Sequence, residues 1–255
     1  MASGLRLAVG TLTVVPVGPV AEPTRRQARW AMTLAPFAAL PVAVVAGVVA
    51  ALGELAGLPA LVTAALVVGA LALSTRAMHL DGLADTVDGL GAGWTRERAL
   101  EVMRRGDVGP MGVAAVVVTL LVQVAGLAAL VTRPWAWLVV GVVVAASRGA
   151  LLLACRSGMP SARPSGLGAV VAGSVPTWAA SLGGVAIAAT LASATTAAGL
   201  EPWAGLTATV VATIVVAQVL RTCRRAFGGV SGDVMGASIE LALTAILVAL
   251  SSGRW

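Results

Sequence analysis

The chain predicts an all-α fold: a polytopic transmembrane helical bundle of about seven spans, in a range of roughly six to eight, with a short cytosolic amphipathic helix. Three observations carry this. The composition is 58% hydrophobic and 11% charged, with a mean hydropathy of +0.96, which is a profile of lipid-immersed chains and not of soluble globules. The apolar residues come in runs of about twenty, long enough at about 1.5 Å per residue to cross a hydrocarbon core of about 30 Å. Short segments that hold most of the charge separate those runs, and all 17 basic residues are Arg.

Taken in order, residues 5–20 (LRLAVGTLTVVPVGPV) are apolar but broken by Gly10, Pro16, Gly18 and Pro19. They read as an interfacial or re-entrant piece. They lack the charged start, apolar centre and small-residue cleavage pattern of a removable signal. Arg25, Arg26 and Arg29 precede a first span at 30–53, and a second at 57–77 leads into a polar segment at 81–108. Further spans are expected at 109–131, 134–154, 178–199, 203–220 and 237–252. Nothing marks a soluble second domain, so residues 1–255 read as one integral membrane domain.

Orientation follows from the arginines. With the N-terminus inside, fourteen of the 17, from Arg6 to Arg225, fall in cytosolic segments. The other side keeps Arg133 and Arg254, and Arg148 lies within a span. Positively charged loops stay on the cytosolic side, so the expectation is a multi-pass protein of the cytoplasmic membrane with its N-terminus in the cytosol. The net charge of +6 is thus topology information and does not point to nucleic acid, for which stacking aromatics are too few. Cys155 and Cys223 both fall on the cytosolic side, where a structural disulfide is not expected.

One stretch departs from the greasy background: His79-Leu-Asp81-Gly-Leu-Ala-Asp85-Thr-Val-Asp88-Gly89. Aspartates at i, i+4 and i+7 lie within roughly 60° of one helical face. Carboxylates about 6 Å apart repel by on the order of 3 kcal/mol at an effective dielectric near 20. Either this is a solvated helix end, or Asp81, Asp85 and Asp88 hold a hard divalent cation. Mg²⁺ is the natural choice, because it takes a few carboxylates and completes its shell with water and phosphate. Thr95 is placed to cap a short amphipathic helix over 96–106, with Glu97 in its first turn. Arg104 and Arg105 near its end either pair with Glu101 or neutralise phosphate oxygens. Arg148 either snorkels to the interface or faces the acidic site. In the segment Arg221–Glu240, Gly228, Gly229 and Gly232 would let backbone N–H groups approach an anion. Asp233 and Glu240, seven residues apart, would share a helical face.

Two of these stretches together resemble one family. HLDGLADTVDGLGAGWTRERALEVMRRGDVGPMG is similar to the central signature of the cobalamin synthase (adenosylcobinamide-GDP ribazoletransferase) family, and RAFGGVSGDVMGASIEL to its C-terminal signature. The resemblance implies a Mg²⁺-dependent membrane enzyme that joins adenosylcobinamide-GDP to α-ribazole or its 5′-phosphate and releases GMP at the cytosolic face. On that reading Asp81, Asp85 and Asp88 bind Mg²⁺ against the pyrophosphate, and Arg104, Arg105 or Arg148 offsets charge on the leaving GMP. Asp233 or Glu240 completes the metal shell or takes the acceptor's proton, and the Gly228–Gly232 loop holds a phosphate or the guanosine. Two rival readings are a CDP-alcohol phosphotransferase-like lipid synthase and an ion-coupled transporter. The first wants Ala-Arg after the Asp-Gly pair, where Asp85 follows Ala84 here. The second wants its acids near mid-bilayer.

Overall fold

The computed structural model describes residues 1–18, 23–93 and 95–252. Among these the chain is helical, with only two isolated β-bridges, Arg156 with Val175 and Ser161 with Val230. In order the helices are α1 Ala2–Leu12, α2 Arg25–Thr33, α3 Ala35–Ala38, α4 Leu40–Leu55, α5 Ala60–Ser74, α6 Met78–Gly91 and α7 Arg96–Val102. Then come α8 Pro110–Leu130, α9 Ala136–Ser147, α10 Ala150–Ala154, α11 Leu167–Val171, α12 Thr177–Ala197, α13 Ala204–Phe227 and α14 Gly232–Ser251.

Among the described residues five segments are long and apolar enough to cross a membrane: α8, α9 with α10, α12, α13 and α14. A sixth appears if α5 and α6 count as one broken span, and α4 is a shorter apolar helix. The expected first span at 30–53 is therefore divided. A capping box between Thr24 and Gln27 starts α2, and Pro36 and Pro41 in the first turns of α3 and α4 start each of those helices anew. A proline at such a position lacks only an N–H that would be unpaired anyway. The 16 residues left in α4 rise about 24 Å. The N-terminal piece forms the 11-residue α1, too short to span, and the chain after it is held by the Val14 N–H donating to the Ser74 carbonyl at 2.9 Å. Pro19, Val20 and Arg254, which entered the sequence reading, lie outside the described residues.

The second span ends sooner than expected, and its end shapes the site. After Ser74 the backbone takes left-handed values at Arg76 (φ 53°) and Ala77 (φ 54°), and α6 leaves at 87° to α5. The acidic stretch thus belongs to a helix that runs across the end of the bundle.

Successive helices run up and down, so the links sort onto two ends. Segments 75–109, 155–176 and 228–231 gather at one end with α1 and α2. The links at 56–59, 131–135 and 198–203 lie at the other. All fourteen arginines grouped by sequence fall at the first end, while Arg133 falls at the second. Exposed Trp178 sits at the arginine-rich end, and exposed Trp135, Trp137 and Trp203 at the opposite one, as interfacial tryptophans do. The 155–176 segment is pinned over the α13–α14 junction: the Ala162 N–H donates to the Val230 carbonyl at 2.8 Å and the Ser157 N–H to that of Val175 at 2.7 Å. The core has two parts, one under the arginine-rich end around Leu151, Phe227 and Ile239, and one along the bundle around Val140, Leu191 and Leu247.

Candidate active site

The site is built on a close crossing of α6 and α14 in which a glycine of each helix faces the other's backbone. A Cβ placed on Gly82 would meet the Asp233 carbonyl oxygen at 2.7 Å and its Cα at 3.0 Å. One on Gly236 would meet the His79 Cα at 3.1 Å. The two glycines are part of the Asp-Gly and Met-Gly pairs of the signature stretches, and steric contact between backbones explains them. The crossing brings Asp81, exposed on α6, and half-buried Asp85 up to Asp233 in the first turn of α14. Asp85 feels the like charges of Asp81, Asp233 and Asp88, opposed only by Arg163.

Arg163 is the residue that sequence reasoning missed. It comes from the 155–176 segment, whose sequence has no motif, so in the sequence it is one more positive charge among many. Its Nη2 lies 3.4 Å from Asp233 Oδ2, while Nε and Nη2 are buried without a hydrogen-bond partner. Buried guanidinium nitrogens in that state are poised for an anionic acceptor. Ser231 caps α14, accepting from the Val234 N–H at 3.3 Å, and its hydroxyl donates to Asp233 Oδ2 at 3.2 Å.

Asp88 has a second task. One of its oxygens accepts the Gly109 N–H at 2.7 Å and the other the Gly112 N–H at 2.8 Å. Gly109 is the N-cap residue of α8 and carries no capping side chain of its own. Asp88 therefore closes the N-terminus of α8 from another helix, where a carboxylate also suits the helix dipole. Gly112 is required there, since a Cβ would run into the Asp88 carboxylate and come within 2.9 Å of the Ala84 carbonyl oxygen.

The three glycines expected to cradle an anion divide. Gly228 ends α13 in the left-handed region (φ 79°), and a Cβ there would sit 2.7 Å from the Arg96 guanidinium carbon. Gly229 packs on the Pro160 backbone. Both are explained by chain packing. Gly232, exposed at the start of α14, has open space where a Cβ would be, so it is the one facing an accessible helix N-terminus beside Asp233.

The expected short helix is present with Thr95 as its cap, the Thr95 hydroxyl accepting from the Arg98 N–H at 3.3 Å. It ends at Val102, so Arg104 and Arg105 follow it, both exposed. Arg105 pairs with Glu101 at 2.9 Å and Arg98 holds the other Glu101 oxygen at 2.9 Å. Hydrogen bonds from Arg105 and Arg98 hold the Glu101 carboxyl below its ordinary range.

Arg148 and Glu240 do not join the acidic face. Both are buried, on the inner side of α6. The Arg148 Nη1 donates to the Val144 carbonyl at 2.9 Å and to Ser147 Oγ at 3.0 Å. The Gln123 amide donates to Glu240 Oε2 at 2.8 Å and His79 Nδ1 lies 4.0 Å from Glu240 Oε1. A cavity of about 10 Å³ between Thr75, Gln123, Arg148 and Glu240 is about the size of one water. Within this cluster Gln123 ties α8 to α14 through Glu240 and Thr244, while the hydrogen bonds of Arg148 stay within its own helix end and His79 makes none. The Asp233–Glu240 separation of seven residues, about 10 Å of helix rise, is what keeps Glu240 from the surface.

The comparisons with known proteins agree on one family. The family model described as cobalamin-5-phosphate synthase matches residues 4–251. An adenosylcobinamide-GDP ribazoletransferase of Nocardioides sp. is 47% identical over 249 residues, covering 98% of each chain. Those of Frankia casuarinae and Corynebacterium efficiens are 39% and 35% identical, covering 96% and 97% of this chain and 93% and 90% of theirs. No solved structure matches. With the family model spanning nearly every described helix, and both signature stretches meeting at the α6–α14 crossing, the chain belongs to the cobalamin-5-phosphate synthase family.

Proposed function

We propose that this chain is an adenosylcobinamide-GDP ribazoletransferase: it transfers the cobinamide phosphate of adenosylcobinamide-GDP to α-ribazole or its 5′-phosphate and releases GMP. The observation that carries the reading is the convergence of Asp81, Asp85 and Asp233 around Arg163 at the arginine-rich end, in a chain whose relatives bear that enzyme's name. The arginine distribution supports a site facing the cytosol from the cytoplasmic membrane.

The donor set fits Mg²⁺. The oxygens are hard and the acids outnumber the nearby cation, while no three His, Cys, Asp or Glu among the described residues stand together as a set that could hold an ion by themselves. That suits an ion which takes one or two carboxylates and leaves the rest of its shell to water and phosphate. Asp81 and Asp85 would hold it, and Asp88, already engaged by α8, would set their position. When bound, Mg²⁺ neutralises the pyrophosphate.

The remaining steps fall to side chains of this chain. Arg163, whose Nη2 pairs with Asp233 and whose Nε has no hydrogen-bond partner, orients the pyrophosphate, and exposed Arg104 is available to the guanosine-side phosphate. The acceptor hydroxyl oxygen bonds to the cobinamide-bearing phosphorus, the anhydride bond to GMP breaks, and Asp233 takes the hydroxyl proton. The test is GMP release from adenosylcobinamide-GDP by purified protein, with Mg²⁺ and with or without α-ribazole. Asp85→Asn and Asp233→Asn should each lower turnover by at least about 100-fold, the usual scale for a positioned acid–base or electrostatic group. Near wild-type turnover in both would overturn the assignment.

A further inference from the structure

Away from the acidic face, a groove of about 440 Å³ opens on the outer side of the bundle between α4, α9 and α12. Pockets that enclose a small ligand run from roughly 300 to 1,000 Å³. Its walls are apolar, with Leu40, Val44, Val142 and Ile187 among them, and Thr33 and Thr190 supply its hydroxyls. The Thr33 Oγ1 is buried without any hydrogen-bond partner, which is costly for a hydroxyl unless something else fills the gap. From Leu40 to Ala51 along α4 the groove covers about 16 Å, close to half of a hydrocarbon core of about 30 Å.

Cations mark one end of this groove. Arg26 and Arg29 precede Thr33 by seven and four residues on α2, which places all three on one helical face. The Arg29 guanidinium sits over the Trp178 ring at 5.8 Å, and Trp178 is exposed at the start of α12. Tryptophan and arginine at this height belong to the headgroup layer. We propose that the groove holds one acyl chain of an anionic glycerophospholipid, with its phosphate against Arg26 and Arg29 and an ester carbonyl accepting from the Thr33 hydroxyl. The depth matches one leaflet, the charge at its mouth matches a phosphate, and the stranded hydroxyl matches the ester between them. A second copy of the chain would meet the apolar wall but would leave the cationic mouth and Thr33 unanswered.

Full-length protein in detergent, mixed with phosphatidylglycerol or phosphatidylcholine of identical chains and weighed by native mass spectrometry, should retain one phosphatidylglycerol per chain in preference to phosphatidylcholine. Arg26→Gln with Arg29→Gln should weaken that retention by about 30-fold, each arginine near the surface being worth about five-fold. Thr33→Val should weaken it further, and Ala186→Trp, which fills the groove from α12, should abolish it. In phosphatidylcholine vesicles with a minor fraction of phosphatidylglycerol carrying a photoreactive acyl chain, labelling should concentrate on α4 and α12. That map on wild-type protein decides the matter by itself if a variant does not fold. Equal retention of both lipids, labelling spread evenly over the apolar surface, or chain-to-chain crosslinks across Val44 and Ala186 would overturn the proposal.

Discussion

Replacing Asp88 by alanine separates the two tasks that an acid in this position can have. In the structure its oxygens take the Gly109 and Gly112 N–H groups at 2.7 and 2.8 Å. Hydrogen bonds to a charged group are each worth about 1.5–3 kcal/mol, and loss of an N-cap costs about 0.5–2 kcal/mol. Asp88 is half-buried and Gly112 buried, so water reaches the orphaned groups only in part. The Coulomb repulsion of about 3 kcal/mol for an unscreened pair falls to about 0.2–0.5 kcal/mol for like charges one helical turn apart beside solvent, and that is what relief of repulsion with Asp85 returns. The two bonds together bound the loss at about 3–6 kcal/mol and the cap scale at about 0.5–2 kcal/mol; a value between them, about 2–3 kcal/mol, lowers the melting midpoint of a chain of this size by about 4–12 °C. Asp88→Asn keeps one acceptor and turns an N–H₂ toward the second backbone N–H, so it should fall between. The assay is thermal unfolding in detergent followed by tryptophan fluorescence, with GMP release measured on the same preparations. Asp85→Asn is the counterpart, because it removes a like charge and should lose turnover while holding its midpoint. If Asp88→Ala lost turnover with an unchanged midpoint, the capping argument would be refuted and Asp88 would belong with the substrate-facing acids.

Three further expectations can be checked on the same preparations. Gly82→Ala should destabilise by about 1–3 kcal/mol through overpacking against the Asp233 backbone and cut turnover, whereas Gly69→Ala, with open space at its Cβ, should gain up to about 1 kcal/mol of helix propensity; equal midpoints for the two would count against the close crossing. Arg163→Gln should raise the KM for adenosylcobinamide-GDP and lower kcat, with little change in midpoint; a pure stability loss would show that Arg163 serves only Asp233. Glu101→Gln, which breaks two exposed ion pairs, should leave both midpoint and turnover within error, and a loss of turnover would return Arg105 to the substrate.

The membrane class, the N-terminal stretch as a piece that does not span and the Thr95 cap were legible in the sequence, because each rests on local composition or on a side chain and its own backbone. The sorting of arginines was legible for the same reason. What escaped depends on partners distant in the chain. The break of the first span was signalled by Pro36 and Pro41, but hydropathy outweighed them, since prolines in the first turn of a new helix leave the apolar run intact. Arg163 gave no signal, because its meaning comes from the α13–α14 junction onto which its segment is pinned. Gly82 and Gly236 looked like ordinary glycines in helical runs until the two backbones were seen to touch. Glu240 shares a helix with Asp233, and periodicity alone does not tell which turns of that helix are sealed inside the bundle.

The contact of Gly82 with the Asp233 backbone has a mechanical consequence. Two helices in backbone contact cannot slide or part without losing that close packing, so Asp81, Asp85 and Asp233 behave as one rigid jaw. Arg163 rides on a different support, the part of the 155–176 segment ahead of α11, fastened to the α13–α14 junction by backbone hydrogen bonds, so its place against the jaw is set by that junction.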